Sequence, residues 1–171
     1  MIFKNKHIKY ILITISIVIV TSCKIGYSFT GASISPDIKT ISIDYFPNHA
    51  LLVNPSLSQT FTEALKDKFV SQTSLELVND EGDLQFSGAI TRYTTTPAAI
   101  TGDLATQTRL TITIQVKYTN TKDSNQDFDR AFSQYADYPS SESLDAVEDQ
   151  LISDIVGKIT DDIFNKSVSN W

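Results

Sequence analysis

Sulfur and imidazole are scarce in this chain: its 171 residues hold one cysteine, one methionine and two histidines. A single cysteine excludes an internal disulfide framework and any zinc site built from several thiolates. Two histidines leave little material for His-based metal clusters or for imidazole catalysis. Positive charge is also short. Fourteen Lys and Arg face twenty Asp and Glu, a net charge of −6, which removes the counterion-release drive toward nucleic acid. No apolar run is long enough for a membrane span. The longest, Tyr10 to Val20, has 11 residues, a helix of about 16 Å against a hydrocarbon core of about 30 Å. No internal repeat or low-complexity tract interrupts the chain. With 41% apolar and 20% charged residues, wholesale disorder is excluded and the length suits one self-sufficient core.

That short apolar run does carry information. Met1 to Lys9 contains Lys4, Lys6 and Lys9 and no acid. A basic start followed by a short apolar stretch is the layout of a secretory signal. Val20, Thr21 and Ser22 then precede Cys23, a pattern resembling the lipobox of bacterial lipoproteins. Small side chains let a peptidase lie close to the backbone, and the thiol of Cys23 accepts the diacylglycerol. The expected processing removes residues 1–22 and their three lysines, leaving 149 residues with 11 basic and 20 acidic side chains. Acyl chains contribute about 0.8 kcal/mol per buried CH₂, so two or three would anchor the protein firmly. Lys24 stands where an inner-membrane retention signal would usually place Asp, and no acidic cluster follows Cys23. Both features point to the periplasmic face of the outer membrane.

Residues 23–37 read as a lipidated amino terminus and lead segment, and 38–171 as a single domain. Ile41, Ile43 and Tyr45 alternate, which predicts a strand with those three on one face. Asn54-Pro55 is a helix start, since Asn caps free N–H groups and Pro tolerates the first helical position. Leu57, Phe61, Ala64, Leu65 and Phe69 then form an apolar stripe. A short strand is expected near Ser74 to Val78. Leu84, Phe86, Gly88 and Ile90 alternate in a strand running to about Thr94. Between Arg109 and Asn120, Leu110, Ile112, Ile114, Val116 and Tyr118 face one way and Thr111, Thr113, Gln115, Lys117 and Thr119 the other. That pattern gives one dry face and one wet or partner-facing face. A further strand spans Phe128 to Tyr138. The last helix carries Glu142, Asp145, Glu148 and Asp149 near its start, where the dipole favours acid. Its stripe is Leu144, Val147, Leu151, Ile155, Ile159 and Ile163. Gly157 within it suggests the close approach of a neighbouring element. The expected fold is α+β: a two-layer sandwich with two helices on one face of a mixed, mostly antiparallel sheet of four to five strands.

Catalytic chemistry has little to stand on. After processing, His49 is the only imidazole and Cys23 is consumed by lipid. No nucleophile elbow, phosphate loop or His-Glu-x-x-His pair is present. The acidic pairs Asp80/Glu81, Glu148/Asp149 and Asp161/Asp162 are sequence neighbours whose members point in different directions. No enzyme activity, cofactor or metal is expected. Two features instead suggest contact with a partner. The connection from Thr94 to Thr108 exceeds the usual length of a hairpin loop; it exposes Ile100 and Leu104, is flanked by Arg92 and Arg109, and is read either as a tip that inserts into a partner or meets lipid, or as a mobile hairpin loop. The wet strand face, rich in Thr, adds Lys117 beside Arg109.

Several segments resemble the Bacteroidetes branch of the lipopolysaccharide-assembly LptE family: YSFTGASI at 27–34, KTISI at 39–43, PSLSQTFTEALKDK at 55–68, FSQYADY at 132–138 and DDIFNKSVSNW at 161–171. The resemblance covers nearly the whole mature chain. It implies a non-enzymatic lipoprotein that partners and plugs an LptD-like outer-membrane β-barrel, helps it assemble, and itself binds lipopolysaccharide. Arg92, Arg109, Lys117 and Lys122 are the cationic candidates for that anionic lipid. A different class remains open: a membrane-tethered periplasmic carrier of lipid or a small ligand, with the helix–sheet seam as its pocket.

Overall fold

A computed structural model describes residues 34–52, 54–101 and 104–168. Cys23, the signal segment and most of the lead lie outside the described residues. The elements are β1 (Thr40–Ile43), α1 (Leu57–Gln72), β2 (Glu76–Leu77), β3 (Leu84–Thr101), β4 (Leu104–Asn120), a 3₁₀ turn at Ser124–Gln126, β5 (Phe128–Pro139) and α2 (Leu144–Val168). The strands form one open five-stranded sheet in the order β2-β1-β3-β4-β5. β1 runs parallel to both β2 and β3, whereas β3–β4 and β4–β5 are antiparallel. This is the α+β architecture expected from the periodicity.

The helices bury their stripes against the dry face. Phe61, Leu65 and Phe69 of α1, Ile155, Ile159 and Ile163 of α2, and Leu110, Ile112, Ile114 and Val116 of β4 are all completely buried. Rings continue the contact between layers: Phe69 sits 4.9 Å from Phe86 and 5.1 Å from Phe164, and Phe86 4.8 Å from Tyr118. Lys68 joins the helices through a 2.6 Å ion pair to Asp161. Burial of a large apolar side chain is worth about 1.5–3 kcal/mol, so this seam is the main source of stability.

Three local expectations are corrected. β1 ends at Ile43, so the alternation does not carry through to Tyr45. Tyr45 is exposed, and Phe46 is buried in its place, edge-on to Phe61 with ring centroids 5.0 Å apart. Phe46 N–H donates to Thr62 Oγ1, which fixes this turn inward. Pro55 is not the first helical residue. Asn54 Oδ1 accepts from the N–H groups of Ser56 and Leu57, and the helix begins at Leu57. Gly157 faces open space, since a Cβ there would meet nothing within 4 Å.

The largest correction concerns residues 95–101 and 104–108. They are not a loop. β3 and β4 stay paired out to Thr101↔Leu104, with register shifts at Ile90/Arg92, Pro97/Ala99 and Ala99/Ile100. Thr94, Thr95 and Thr96 suit extended backbone. Pro97, which lacks a ladder donor, is accommodated beside a register shift on a stretch of β3 where β1 no longer pairs. The shift at Ile90/Arg92 also reverses the alternation, so Tyr93 rather than Arg92 points into the core.

Candidate partner-facing surface

The core ends at Tyr93 and Leu110, both buried. β5 pairs no further than Gln107↔Pro139. Beyond that only the β3–β4 pair continues, as a two-stranded arm. Six residue steps from Thr95 to Thr101 make about 20 Å of ribbon at roughly 3.3 Å per step. Thr95, Thr96, Pro97 and Ala98 are exposed, as are Thr106 and Gln107. Ile100 and Leu104 lie on this ribbon, their backbones paired with Ala105 and Thr101.

The root of the arm is fastened to α2. Tyr93 Oη donates to a carboxylate oxygen of Glu148. Desolvation, followed by the Glu148 carboxylate, raises the Tyr93 phenol well above its ordinary range. Glu148, expected to interact with the helix dipole, is therefore also the acceptor that holds β3 to α2.

Among the described residues, the other face of the sheet carries no helix. Arg92 pairs in register with Thr113, Arg109 with Thr96 and Lys117 with Ser87. All three cations therefore share the open face, in a row with about 13 Å between neighbours at four residues each. Arg109 is occupied. Its Nε and Nη2 donate to the two carboxylate oxygens of Asp137 at 2.7 and 2.9 Å, and its guanidinium lies 3.7 Å from the centre of the Tyr135 ring. This pairing raises the Arg109 pKa and lowers that of Asp137. Arg92 and Lys117 are exposed and have no ion pair among the described residues. Thr113 and Ser133 share a 2.9 Å hydroxyl contact, and Gln115 donates to Asp129.

Lys122 does not belong to this group. It sits in the turn after β4, where its Nζ is 2.9 Å from Asp83. Asp83 also accepts from the backbone N–H groups of Lys39 and Thr40 and from Thr40 Oγ1. The Lys39 N–H first, then Lys122, holds this carboxyl well below the usual carboxylate range. Asp83 ties the amino-terminal edge of β1 to the start of β3. Sequence patterning missed this role, as it missed Asp137 and Tyr135, because each works with a residue at least 26 positions away.

No group of three or more His, Cys, Asp or Glu could hold a metal ion among the described residues. A cleft at the lower end of the helix–sheet seam, between Ile34, Ile38, Leu84, Tyr118 and Val168, has a volume near 210 Å³. That is below the 300–1,000 Å³ usual for small-ligand pockets. A wider groove of about 730 Å³ on the open face is lined by polar groups, including Asp44, Asp80, Glu81 and Lys117.

Comparison with known proteins agrees with this architecture. A family model described as LptE, lipopolysaccharide-assembly, matches residues 38–167. No curated protein matches the sequence. Among solved structures, a minor lipoprotein of Acinetobacter baumannii shares the fold at a TM-score of 0.52 and 15% identity, covering 76% of this chain and 92% of that one. The hypothetical protein CT253 of Chlamydia trachomatis aligns at a TM-score of 0.55 and 8% identity, covering 78% and 99%. Lipoprotein B of Nitrosomonas europaea aligns at 0.51 and 12% identity, covering 74% and 80%.

Proposed function

We propose that this chain, which belongs to the lipopolysaccharide-assembly LptE family, acts as the lipid-anchored partner and plug of an LptD-type outer-membrane β-barrel. Family membership over residues 38–167 is the observation that carries this reading. In it, residues 1–22 are removed, Cys23 is acylated, and residues 38–171 form the working domain on the periplasmic face of the outer membrane.

The geometry supports that role. A plug must be stiff and must present a polar, wettable surface to a polar barrel interior. Here a helix-backed sheet supplies the stiffness, and the arm supplies a narrow ribbon of Thr, Ala and Gln that reaches beyond the core. Backbone pairing within the arm satisfies its main-chain polar groups along one edge, so the ribbon enters a lumen without first folding there. No chemical step is required of any residue. Lipopolysaccharide contact is assigned to the open face, where Arg92 and Lys117 are available, whereas Arg109 is shared with Asp137 and Lys122 with Asp83. The seam cleft is small for a lipid, which places the carrier reading second.

Native co-purification from outer membranes tests the proposal directly. A photo-crosslinking amino acid at Ala98, on the exposed arm, is expected to yield one adduct with a barrel protein in stoichiometric amount. Recovery of the protein without any barrel chain, and without that adduct, would reject the plug role.

A further inference from the structure

Charge is unevenly spread along the chain. From Tyr45 to Thr62 there is no Asp, Glu, Lys or Arg, although one residue in five of the whole chain is charged. Asp44 and Glu63 bracket this neutral stretch. At its centre Leu51 is 101% and Leu52 is 55% exposed. They do not project from a frayed end. Before them, His49 N–H donates to Ile90 O and Ile90 N–H to Pro47 O, each at 2.9 Å, while Ala50 N–H donates to Asn48 Oδ1. After them, Asn54 is buried and caps the turn into α1. Ala50 is buried as well. Two anchored flanks therefore hold a pair of leucines out into solvent.

We infer that Leu51 and Leu52 form an apolar finger that enters the hydrocarbon margin of a lipid bilayer, giving the protein a second membrane contact besides its amino terminus. Three observations select lipid as the occupant. A polar barrel lumen gains nothing from two leucines, whereas each apolar side chain transferred out of water favours the bilayer. On an acidic protein, a segment without carboxylates can approach an anionic lipid surface without direct repulsion. The amino terminus also reaches. Ile34 lies beside Leu84 and Val168 at the base, and Asn48 bridges to Ile90, six residues up β3 and so about 20 Å away. The eleven residues from Cys23 to Ile34 span at most about 40 Å, enough for both contacts to share one bilayer. Tyr45, also exposed, is the amphipathic side chain suited to the headgroup level.

The inference is independent of the barrel partnership and is tested on the full chain in its membrane. Benzoylphenylalanine is placed at Leu51 and, as a control at the base, at Asn125. Irradiation in vesicles of phosphatidylethanolamine and phosphatidylglycerol is expected to give a phospholipid adduct at 51 and none at 125. Leu52→Ser should lower the adduct yield at 51 about fivefold or more. Equal lipid adduct at both positions, or adducts at 51 with polypeptide alone in native membranes, would overturn it. A finger that meets lipid while no barrel chain co-purifies would leave this inference standing and remove the plug role.

Discussion

The guanidinium of Arg109 lies 3.7 Å from the centre of the Tyr135 ring, on the sheet face opposite the two described helices. Asp137 grips the same group from two residues further along β5. A cation that sequence reading offers to lipopolysaccharide is thus committed to its own neighbours. Arg109→Ala should lower the urea midpoint only slightly, because exposed pairs contribute little even with good geometry. Urea unfolding at low and high salt reads it, the loss shrinking as salt screens the pair.

Arg92 and Arg109 are expected to separate in lipid binding. Arg92, without an ion pair among the described residues, is the free one of the two, so Arg92→Ala should lower affinity for lipopolysaccharide about two- to fivefold. Arg109→Ala should lower it less. Titration against purified lipopolysaccharide at two ionic strengths decides the order, and equal affinity in all three proteins removes the open face as the binding surface.

Gly88 and Gly157 respond to alanine in opposite directions. Gly88 has φ +153°, and a Cβ there would lie 2.0 Å from Gln115 O and 2.9 Å from the Phe46 ring. Gly88→Ala should destabilise by about 2 kcal/mol or more, because both backbone and core must shift. Gly157, with nothing near its Cβ, sits exposed in mid-helix. Gly157→Ala should stabilise by about 0.5–1 kcal/mol. Thermal unfolding of the two variants beside the parent gives both signs at once.

Tyr93→Phe removes the donor to Glu148 and leaves that carboxylate short of a partner at the root of the arm. A loss of about 0.5–1.5 kcal/mol is expected, since the half-buried carboxylate regains water. Amide exchange in β3 near residue 93 should accelerate while exchange in β4 near Val116 does not; uniform acceleration would mean that the bond holds no particular part of the sheet.

Asp83 makes stability depend on acid. Its folded pKa is depressed below the ordinary 3.8 by Lys39 N–H and Lys122. The carboxylate therefore contributes fully above about pH 4, and the contribution is lost as pH falls below the unfolded value toward the folded one. Asp83→Asn should flatten the slope of the urea midpoint between about pH 4 and pH 2. Asp137, also depressed, by Arg109, supplies the residual slope.

How far the fold was legible follows from the range over which each signal acts. Alternation in Leu110 to Tyr118 and the three-and-four spacing in Leu151 to Ile163 are local and strong. They place the dry sheet face and the long helix correctly, with Leu110, Ile112 and Ile114 fully buried. Signals that depend on a shift of one residue were lost. Exchange of Phe46 for Tyr45 follows the end of β1, and burial of Tyr93, which alternation through Ile90 does not foretell, follows a register shift. A period of two contains no marker for its own interruption.

What the sequence by itself determined was therefore the set of elements and the face each one buries, because apolar periodicity is written between near neighbours. Tertiary structure alone decided which cations remain free, how far the β3–β4 pair extends beyond the core, and that Leu51 and Leu52 stand in solvent. Those outcomes depend on partners distant in sequence: Asp137 for Arg109, Asp83 for Lys122 and Ile90 for the base of the Leu51 loop. Pairing across such separations is settled by the geometry of the folded sheet, and no local pattern encodes it.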